Sequence, residues 1–307
     1  MIKIYTIIVT YNAMKWIEKC LLSLESSTLH TEIIIVDNCS IDNTVSFVES
    51  TFPRVHIIKN NKNRGFGQAN NQGIEYAYKQ GATHFFLCNQ DLYIKPDTLQ
   101  KIVDVQDKYG LYVVSPLQMN GTFELFDQSF YNQFVKGNNP FVSDLVNSNL
   151  SDYYETDFVP AAAWVISREC IENIGGFDPI FFHYSEDNNY LHRLIYHKKK
   201  IGVIPNAFAA HDRVFKGNVK AYNKYGPLST LISLHANPSF SFYSINKERV
   251  VVHLIFIRDI IRLFLNIEMK RGFEQMKNYF LFWVKSSKIR NSIKTNRFIY
   301  HNWLDIN

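Results

Sequence analysis

Carboxylates stand at three places in this sequence where an apolar run stops abruptly: Asp37-Asn38 after EIIIV, Asn89-Gln90-Asp91 after FFLC, and Glu186-Asp187 shortly after IFFHY. One Asp among amides suits a hard divalent cation such as Mg2+ or Mn2+, which prefers carboxylate, carbonyl and phosphate oxygens. Such a cation neutralises the charge of a departing diphosphate. Two adjacent carboxylates beside apolar walls suit another task, because desolvation separates their proton affinities and leaves one as a general base near neutral pH. Blander readings stand beside each of these. Negative charge at a helix start stabilises that helix without any chemistry. Asp37 competes between an Asx-turn or N-cap role and hydrogen bonding to a nucleotide base or ribose, and 89–91 fits a capped turn as well as a metal site.

The segment NRGFGQANNQG, residues 63–73, sets Gly65, Gly67 and Gly73 among amide side chains. Its spacing is not the G-x-G-x-x-G dinucleotide fingerprint. Glycine permits close backbone approach and positive φ, and amides bond ribose or phosphate oxygens without net charge. His211, in NAFAAHDR after the strand-like IGVIP, is one of 10 histidines. Packing is its default role, and its place beyond a strand end adds metal ligation as a second. Arg193 fits an ion pair or a phosphate contact, and Lys198–Lys200 a solvated loop.

A scaffold has to bring these residues together. Ile4–Val9, Glu32–Val36 and Val55–Ile58 read as near-continuous apolar strands, and helical patterns through Trp16–Leu24, Thr44–Ser50 and Ile74–Lys79 alternate with them. That predicts an α/β fold with a mostly parallel central sheet and helices on both faces. Ligands in this class bind beyond strand carboxyl ends. Thr10–Asn12, Asp37–Asn38, the 63–73 loop and Asn89–Asp91 all fall there. The pattern loosens after Val113, and Met119–Tyr154 reads as a mobile or acceptor-facing insertion. A strand within FVPAAAWVIS at 158–167, a helix from Arg168 and a helix after IFFHY follow. The expected organisation is a catalytic domain over 1–226, with a nucleotide half to about 112 and an acceptor half beyond it, then a helical region over 227–307.

Composition narrows the rest. With 46% apolar and 20% charged residues the 307-residue chain is globular. Its net charge of +5 is uneven: residues from Ser241 onward carry 12 Lys/Arg against 5 Asp/Glu. That excess lies in helices dense with buried-type residues and no recognised nucleic-acid module is present, which argues against nucleic-acid binding. Cysteines at 20, 39, 88 and 170 have no metal-ligand spacing, so a reduced, cytoplasmic setting is expected, and no export signal is visible. Val250–Leu265 is interrupted by His253, Arg258, Asp259 and Arg262 and does not read as a membrane span. Arg258, Asp259, Arg262 and Asn266 share a face opposite a broad apolar one, the pattern of an amphipathic helix.

Taken in order, IIVTYN at 7–12, IIVDNCSIDNT at 34–44, NRGFGQANNQG at 63–73, LCNQD at 87–91 and GGFDPIFFHYSEDNNYLHRL at 175–194 resemble the family 2 inverting glycosyltransferases with the Rossmann-like A-type nucleotide-sugar fold (GT-A). Within that family they are most similar to the rhamnosyltransferase-like branch that builds bacterial surface polysaccharides. The resemblance implies that Thr10, Tyr11, Asn12, Asp37 and Asn38 hold base and ribose. It places Asn63, Gly65, Gly67 and Asn71 under the sugar nucleotide, with Asn89, Gln90, Trp164 and Arg193 also in the substrate-binding set. Asp91 becomes the metal-binding carboxylate assisted by His211, Asp187 the catalytic base, and Glu186 a group that positions acceptor hydroxyls. Asn89 stands where many relatives have Asp, which removes one charge from the ligand set. The implied cofactor is Mg2+ or Mn2+, the donor a dTDP- or UDP-linked sugar, and the acceptor a saccharide hydroxyl, lipid-linked or free. For the basic C-terminal helices, the cytoplasmic face of the membrane, a homodimer contact and packing on the catalytic domain all remain open. A nucleotidyltransferase and a non-catalytic carbohydrate-binding subunit are the competing functions.

Overall fold

The computed structural model describes residues 2–213, 226–265 and 268–306. Its first half alternates strictly: β1 (Ile4–Thr10), α1 (Ile17–Glu25), β2 (Thr31–Asp37), α2 (Thr44–Thr51), β3 (His56–Lys59), α3 (Phe66–Lys79) and β4 (His84–Asn89). The four strands pair in parallel in the order β3-β2-β1-β4. Successive side chains point to opposite faces, and both faces are covered. Ile7, Ile34, Val36, Phe85 and Leu87 enter one core, while Ile4, Ile8, Ile35, Phe86 and Cys88 enter the other.

The second half is mixed. It comprises β5 (Leu92–Ile94), α4 (Thr98–Tyr109), β6 (Val113–Asn120), α5 (Gln128–Phe130), a π-helical turn (Tyr131–Val135), α6 (Phe141–Val146), β7 (Tyr154–Glu155), β8 (Ala163–Ser167), α7 (Arg168–Ile174), α8 (Glu186–Tyr196) and β9 (Ile201–His211). The sheet continues β4-β8-β6-β9-β5, with β7 pairing β9. β8 runs antiparallel to both its neighbours, because the chain leaves β6 at the cleft end and returns from that end. The β6–β9 register slips between Pro116 and Leu117, where proline cannot donate to the ladder. Beyond the slip, β9 runs on until His211 lies opposite both Asn120 and Leu92.

Two local expectations change. The Gly-rich stretch is not an extended loop: α3 begins at Phe66, so Gly67, Gln68 and Asn70–Gly73 are helical. Gly73 allows this, since a Cβ there would lie 2.4 Å from Ile7 of β1. The 119–154 insertion is not a loose segment either. Phe130, Phe134 and Phe141 are fully buried, with ring centroids 5.3 Å and 5.4 Å apart along the series, and they join the core under β6.

The C-terminal helices are α9 (Gly226–His235), α10 (Lys247–Leu265), α11 (Met269–Val284) and α12 (Ser286–Asn296). They close a third core in which Leu231, Phe242, Phe256, Phe282 and Ile289 pack with Phe181 of the segment preceding α8. α10 and α11 form an antiparallel hairpin, with Phe264 against Phe273, Phe256 against Tyr279 and His253 stacked on Trp283. The following residues return to the sheet, where Leu304 and Ile306 join the first core. Residues 214–225, at the end of the expected catalytic domain, and Asn266 lie outside the described residues. Among the described residues no helix is long and apolar enough to cross a membrane.

A chain of side chains links these helices. His235 Nδ1 lies 3.2 Å from the Phe242 carbonyl, His235 Nε2 3.0 Å from His253 Nε2, and His253 Nδ1 3.1 Å from the Tyr279 hydroxyl. One proton arrangement satisfies all three contacts, with both rings neutral. Burial, then the charge of Arg249, pushes His235 down to about 4, and the same two causes lower His253. A folded-state value below the unfolded one means that this stability is complete above the ordinary value of 6.5 and is lost as pH falls from there toward about 4. Melting temperature should therefore drop over that window, and replacing both histidines by Asn should flatten the slope. An unchanged slope in the double variant would exclude this chain as the acid-sensitive element.

Candidate active site

A cleft of about 570 Å³ opens beyond the carboxyl ends of β1, β2 and β4, lined by Tyr11, Asn38, Asn63, Gly65, Asn89, Gln90, Asp91, Phe182 and His183. The side at the ends of β1 and β2 is a set of interlocked turns. Thr10 Oγ1 donates to Asp37 at 2.8 Å, and Asp37 also accepts from the Ser40 backbone N–H at 2.9 Å and from the Ser40 hydroxyl. Asp37 is thereby buried with both oxygens engaged. Asn12, at φ 53°, accepts from the Ile41 N–H at 2.9 Å, and Gln90 Oε1 accepts from the Tyr11 N–H at 2.8 Å. These bonds leave the Tyr11 ring 48% exposed at the cleft mouth. Asn38 donates to the Gly65 carbonyl at 3.1 Å, and Asn63 accepts from the Gly65 N–H at 2.8 Å. Gly65 cannot carry a side chain: its φ is +82°, and a Cβ would stand 1.8 Å from the Phe182 carbonyl.

The opposite wall carries Asp91 and His211. His211 Nε2 lies 3.3 Å from Asp91 Oδ1 and 3.4 Å from the Asn89 amide. Burial alone would raise the Asp91 carboxyl. The hydrogen bond from His211 and the charges of His211 and Arg213 outweigh it and hold Asp91 below its ordinary value, as a carboxylate. Behind the imidazole, Nδ1 is buried without a hydrogen-bond partner and lies 3.8 Å from Asp127, which caps α5 and is held by Arg213. A carboxylate behind one nitrogen leaves the other suited to a metal. No cluster of three His, Cys, Asp or Glu ligands occurs among the described residues. The available donors are Asp91 and His211, a half-shell that fits Mg2+ or Mn2+ once diphosphate oxygens complete it.

Glu186 and Asp187 open α8 three and four residues beyond His183. The preceding Tyr184 and Ser185 both adopt positive φ, 69° and 67°, a conformation that costs each about 1–2 kcal/mol. The α9 hydroxyl of Ser229 fixes this turn by donating to the His183 carbonyl at 3.1 Å. Burial, with the Asp187 charge added, pushes Glu186 up to about 8, and its Oε2 has no hydrogen-bond partner. Burial also raises Asp187, opposed by bonds from the Asn188 N–H, the Asn188 amide and the Ala161 N–H. The last of these ties the two walls together. Ala162, beside Ala161, accepts from the Asn89 N–H at 3.0 Å, so Asp187 contacts the chain next to the residues that pair with Asn89.

Three expected substrate contacts are placed elsewhere. Trp164 is fully buried on β8, opposite Leu87 and against Phe177 and Tyr190, and does not line the cleft. Arg193 is also buried, and its guanidinium caps the Ile174 and Gly176 carbonyls. Asn71 lies on α3 and bonds the Phe177 N–H at 2.7 Å and the Phe177 carbonyl at 2.8 Å. All three shape the segment leading to Asp187. Gly67 belongs with them, since a Cβ there would lie 2.9 Å from Phe177. Phe182, His183 and Asp127 are the site residues that local reading misses, because the first two look like core and Asp127 sits in an aperiodic stretch. The C-terminal helices contribute as well: Asp178 is buried and accepts from Ser292 and Asn296 of α12.

A nucleotide-sized cleft at the strand ends, an ionised carboxylate with a histidine on one wall and a raised carboxyl pair beside the other define a class of nucleotide-dependent transferase. The family model for glycosyl transferase family 2 matches residues 5–175, and the chain belongs to that family. Over 300 residues it is 22% identical to the dTDP-rhamnosyl transferase RfbF of Shigella flexneri, covering 91% of this chain and 93% of that one. It is 31% identical over 109 residues to the succinoglycan biosynthesis protein ExoO of Rhizobium meliloti, covering 35% of this chain and 30% of that one. Among solved structures, S. aureus TarS 1-349 in complex with UDP-GlcNAc has a TM-score of 0.59 at 16% identity, covering 96% of this chain and 90% of that one. GalNAc-T7 with UDP, GalNAc and Mn2+ has a TM-score of 0.60 at 13% identity, covering 81% of this chain and 53% of that one. The fold is that of the GT-A glycosyltransferases.

Glu186 supplies a direct test of the site's electrostatics. Its value is raised above the unfolded one, so the folded state holds the proton more tightly. The associated stability is complete below pH 4.5 and is lost as pH rises through about 8. Glu186→Gln, which mimics the protonated acid, should match the native protein near pH 5 and be more stable by a few kcal/mol above pH 8. Equal melting curves at both pH values would refute a protonated, buried Glu186.

Proposed function

We propose that this glycosyltransferase moves a sugar from a nucleoside diphosphate sugar to a saccharide hydroxyl, with Asp187 as the base and inversion at the anomeric carbon. The observation that carries this reading is the division of the cleft. Asp91, held ionised beside His211, lines one wall, and the desolvated Glu186-Asp187 pair opens the helix that follows Phe182 and His183 of the other. The exposed Tyr11 ring offers a stacking face to the base, with Asn38 and Asn63 beside it for ribose and phosphate oxygens. Asp91 and His211 are the residues that would hold Mg2+ or Mn2+. When bound, the ion offsets the charge on the departing diphosphate.

Asp187 takes the proton of the acceptor hydroxyl. The hydroxyl oxygen forms its bond to the anomeric carbon as the bond to the diphosphate oxygen breaks, and the nucleoside diphosphate leaves from the opposite face. Glu186, kept protonated, can donate a hydrogen bond to an acceptor oxygen, which supports a positioning role. The likeness to RfbF supports a dTDP-linked donor, with rhamnose as its sugar, and a UDP-linked donor is the alternative. The four free cysteines, three of them buried, support a reducing, cytoplasmic setting. An acceptor carried on a lipid agrees with the basic C-terminal helices.

Asp187→Asn should lower turnover about 10²–10⁴-fold while leaving nucleoside diphosphate affinity within a few-fold. Asp91→Ala should instead weaken the Mn2+-dependent part of dTDP or UDP binding, as measured by calorimetry. Full transfer activity in the Asp187→Asn protein would remove Asp187 as the base. Pyrophosphate release from a nucleoside triphosphate, in place of nucleoside diphosphate release, would move the protein to nucleotidyl transfer.

A further inference from the structure

The α10–α11 hairpin turns a wide apolar surface to solvent on the side away from its core. On α11, Met269, Phe273, Met276, Phe280, Trp283 and Val284 recur at the spacing of a single helix face and are 46–68% exposed. Gln275, Asn278 and Phe282 occupy the buried side of the same helix. α10 extends the surface with Leu254, Ile257, Ile261 and Leu265, each 42% exposed or more. Single exposed apolar residues need no explanation, but a contiguous face of this extent marks an interaction surface.

The charge around that face identifies its occupant. Arg262, Lys270, Lys277 and Lys288 are exposed and make no ion pair among the described residues. Arg258 and Arg262 follow directly on Ile257 and Ile261 within the exposed face of α10. A second copy docked about a two-fold axis would bring these same cations against one another, whereas the centres of protein interfaces are depleted of charge. An anionic bilayer supplies what the surface lacks, with apolar depth for the Phe, Trp, Met and Ile side chains and phosphate charge for cations that snorkel to the headgroups.

We propose that the α10–α11 hairpin is a monotopic membrane-docking surface that lies in the headgroup plane of an anionic leaflet. The hairpin shares its core with Phe181, and α9 bonds the His183 carbonyl, so the docked helices lie between the bilayer and the segment that leads to Asp187. The delivery of a lipid-carried acceptor to Asp187 rests on the transferase reading. The docking itself does not.

Flotation of the full chain with vesicles tests it. The protein should float with mixed phosphatidylcholine–phosphatidylglycerol vesicles at low salt, stay largely behind with pure phosphatidylcholine, and detach as salt is raised. Each lysine removed should weaken binding about five-fold, so Lys270→Ala/Lys277→Ala should lose about 25-fold. Met276→Ser/Phe280→Ser should abolish flotation with nucleotide binding in solution unchanged. No flotation with anionic vesicles, or equal flotation with neutral ones, would overturn the proposal. So would a stable dimer that the Met276→Ser/Phe280→Ser protein loses, which would assign the face to a second copy. Failure of vesicle binding with sugar transfer to a soluble acceptor intact would leave the enzymatic reading standing.

Discussion

Everything at the cleft depends on how closely α3 approaches the chain between Gly175 and Phe182. The Asn71 side chain bonds both the N–H and the carbonyl of Phe177, taking the place of a strand partner for one residue of irregular chain. Gly67 lets the Phe177 side chain press on the helix, and Gly65 lets the Phe182 carbonyl sit where any Cβ would be. Backbone groups buried in irregular structure must find partners, and here the partners come from an element more than one hundred positions away in sequence. This contact sets Phe182 and His183, the residues just before Glu186 and Asp187, against the turns at the strand ends. Arg193 reinforces it from behind, Asp178 from the side of α12, and the Asn302 carbonyl accepts from the Gly176 N–H at 2.9 Å.

The two walls then use the same chemistry in opposite directions. Asp91 and Glu186 are both carboxyls withdrawn from water. His211 and Arg213 stand near Asp91 and keep it charged, while Glu186 has Asp187 for a neighbour and an unpartnered oxygen, and it keeps its proton. A carboxylate that attracts cationic or hydrogen-bonding partners and a carboxyl that can donate a hydrogen bond are thus separated by their surroundings rather than by residue type. The positive φ of Tyr184 and Ser185 is the strain at which the second environment is held, and packing on α9 maintains it.

Three cores share the stabilisation of this arrangement. Two cover the faces of the sheet, and the third joins the C-terminal helices to Phe181, so the helical region is part of the support for the turn that leads to Glu186 and Asp187. The aromatic insertion fills the region under β6, and its Asp127 reaches back toward His211. A segment that looks loose in sequence therefore places a carboxylate behind a candidate metal ligand.

The first half of the fold was legible because parallel strands buried on both faces read as unbroken apolar runs, and the polar residues that end them have few other uses. EIIIVDN and FFLCNQD announce a strand and its cleft end without any long-range information. The adjacency of Glu186 and Asp187, and the identity of Asp91 and His211 as candidates, were also readable from residue type and position. What sequence could not decide was direction and depth. Trp164 and Arg193 carry chemistry-bearing side chains, and only the antiparallel placement of β8 and the buried face of α8 turn them into core. The Gly-rich stretch looked like a loop because asparagine and glycine are poor helix formers, and contacts with Ile7 and Phe177 override that weak preference. Local pattern determined which residues could reach the edge of a sheet. Tertiary packing decided which of them face the cleft, because burial, partner choice and proton affinity are properties of neighbours that lie far away along the chain.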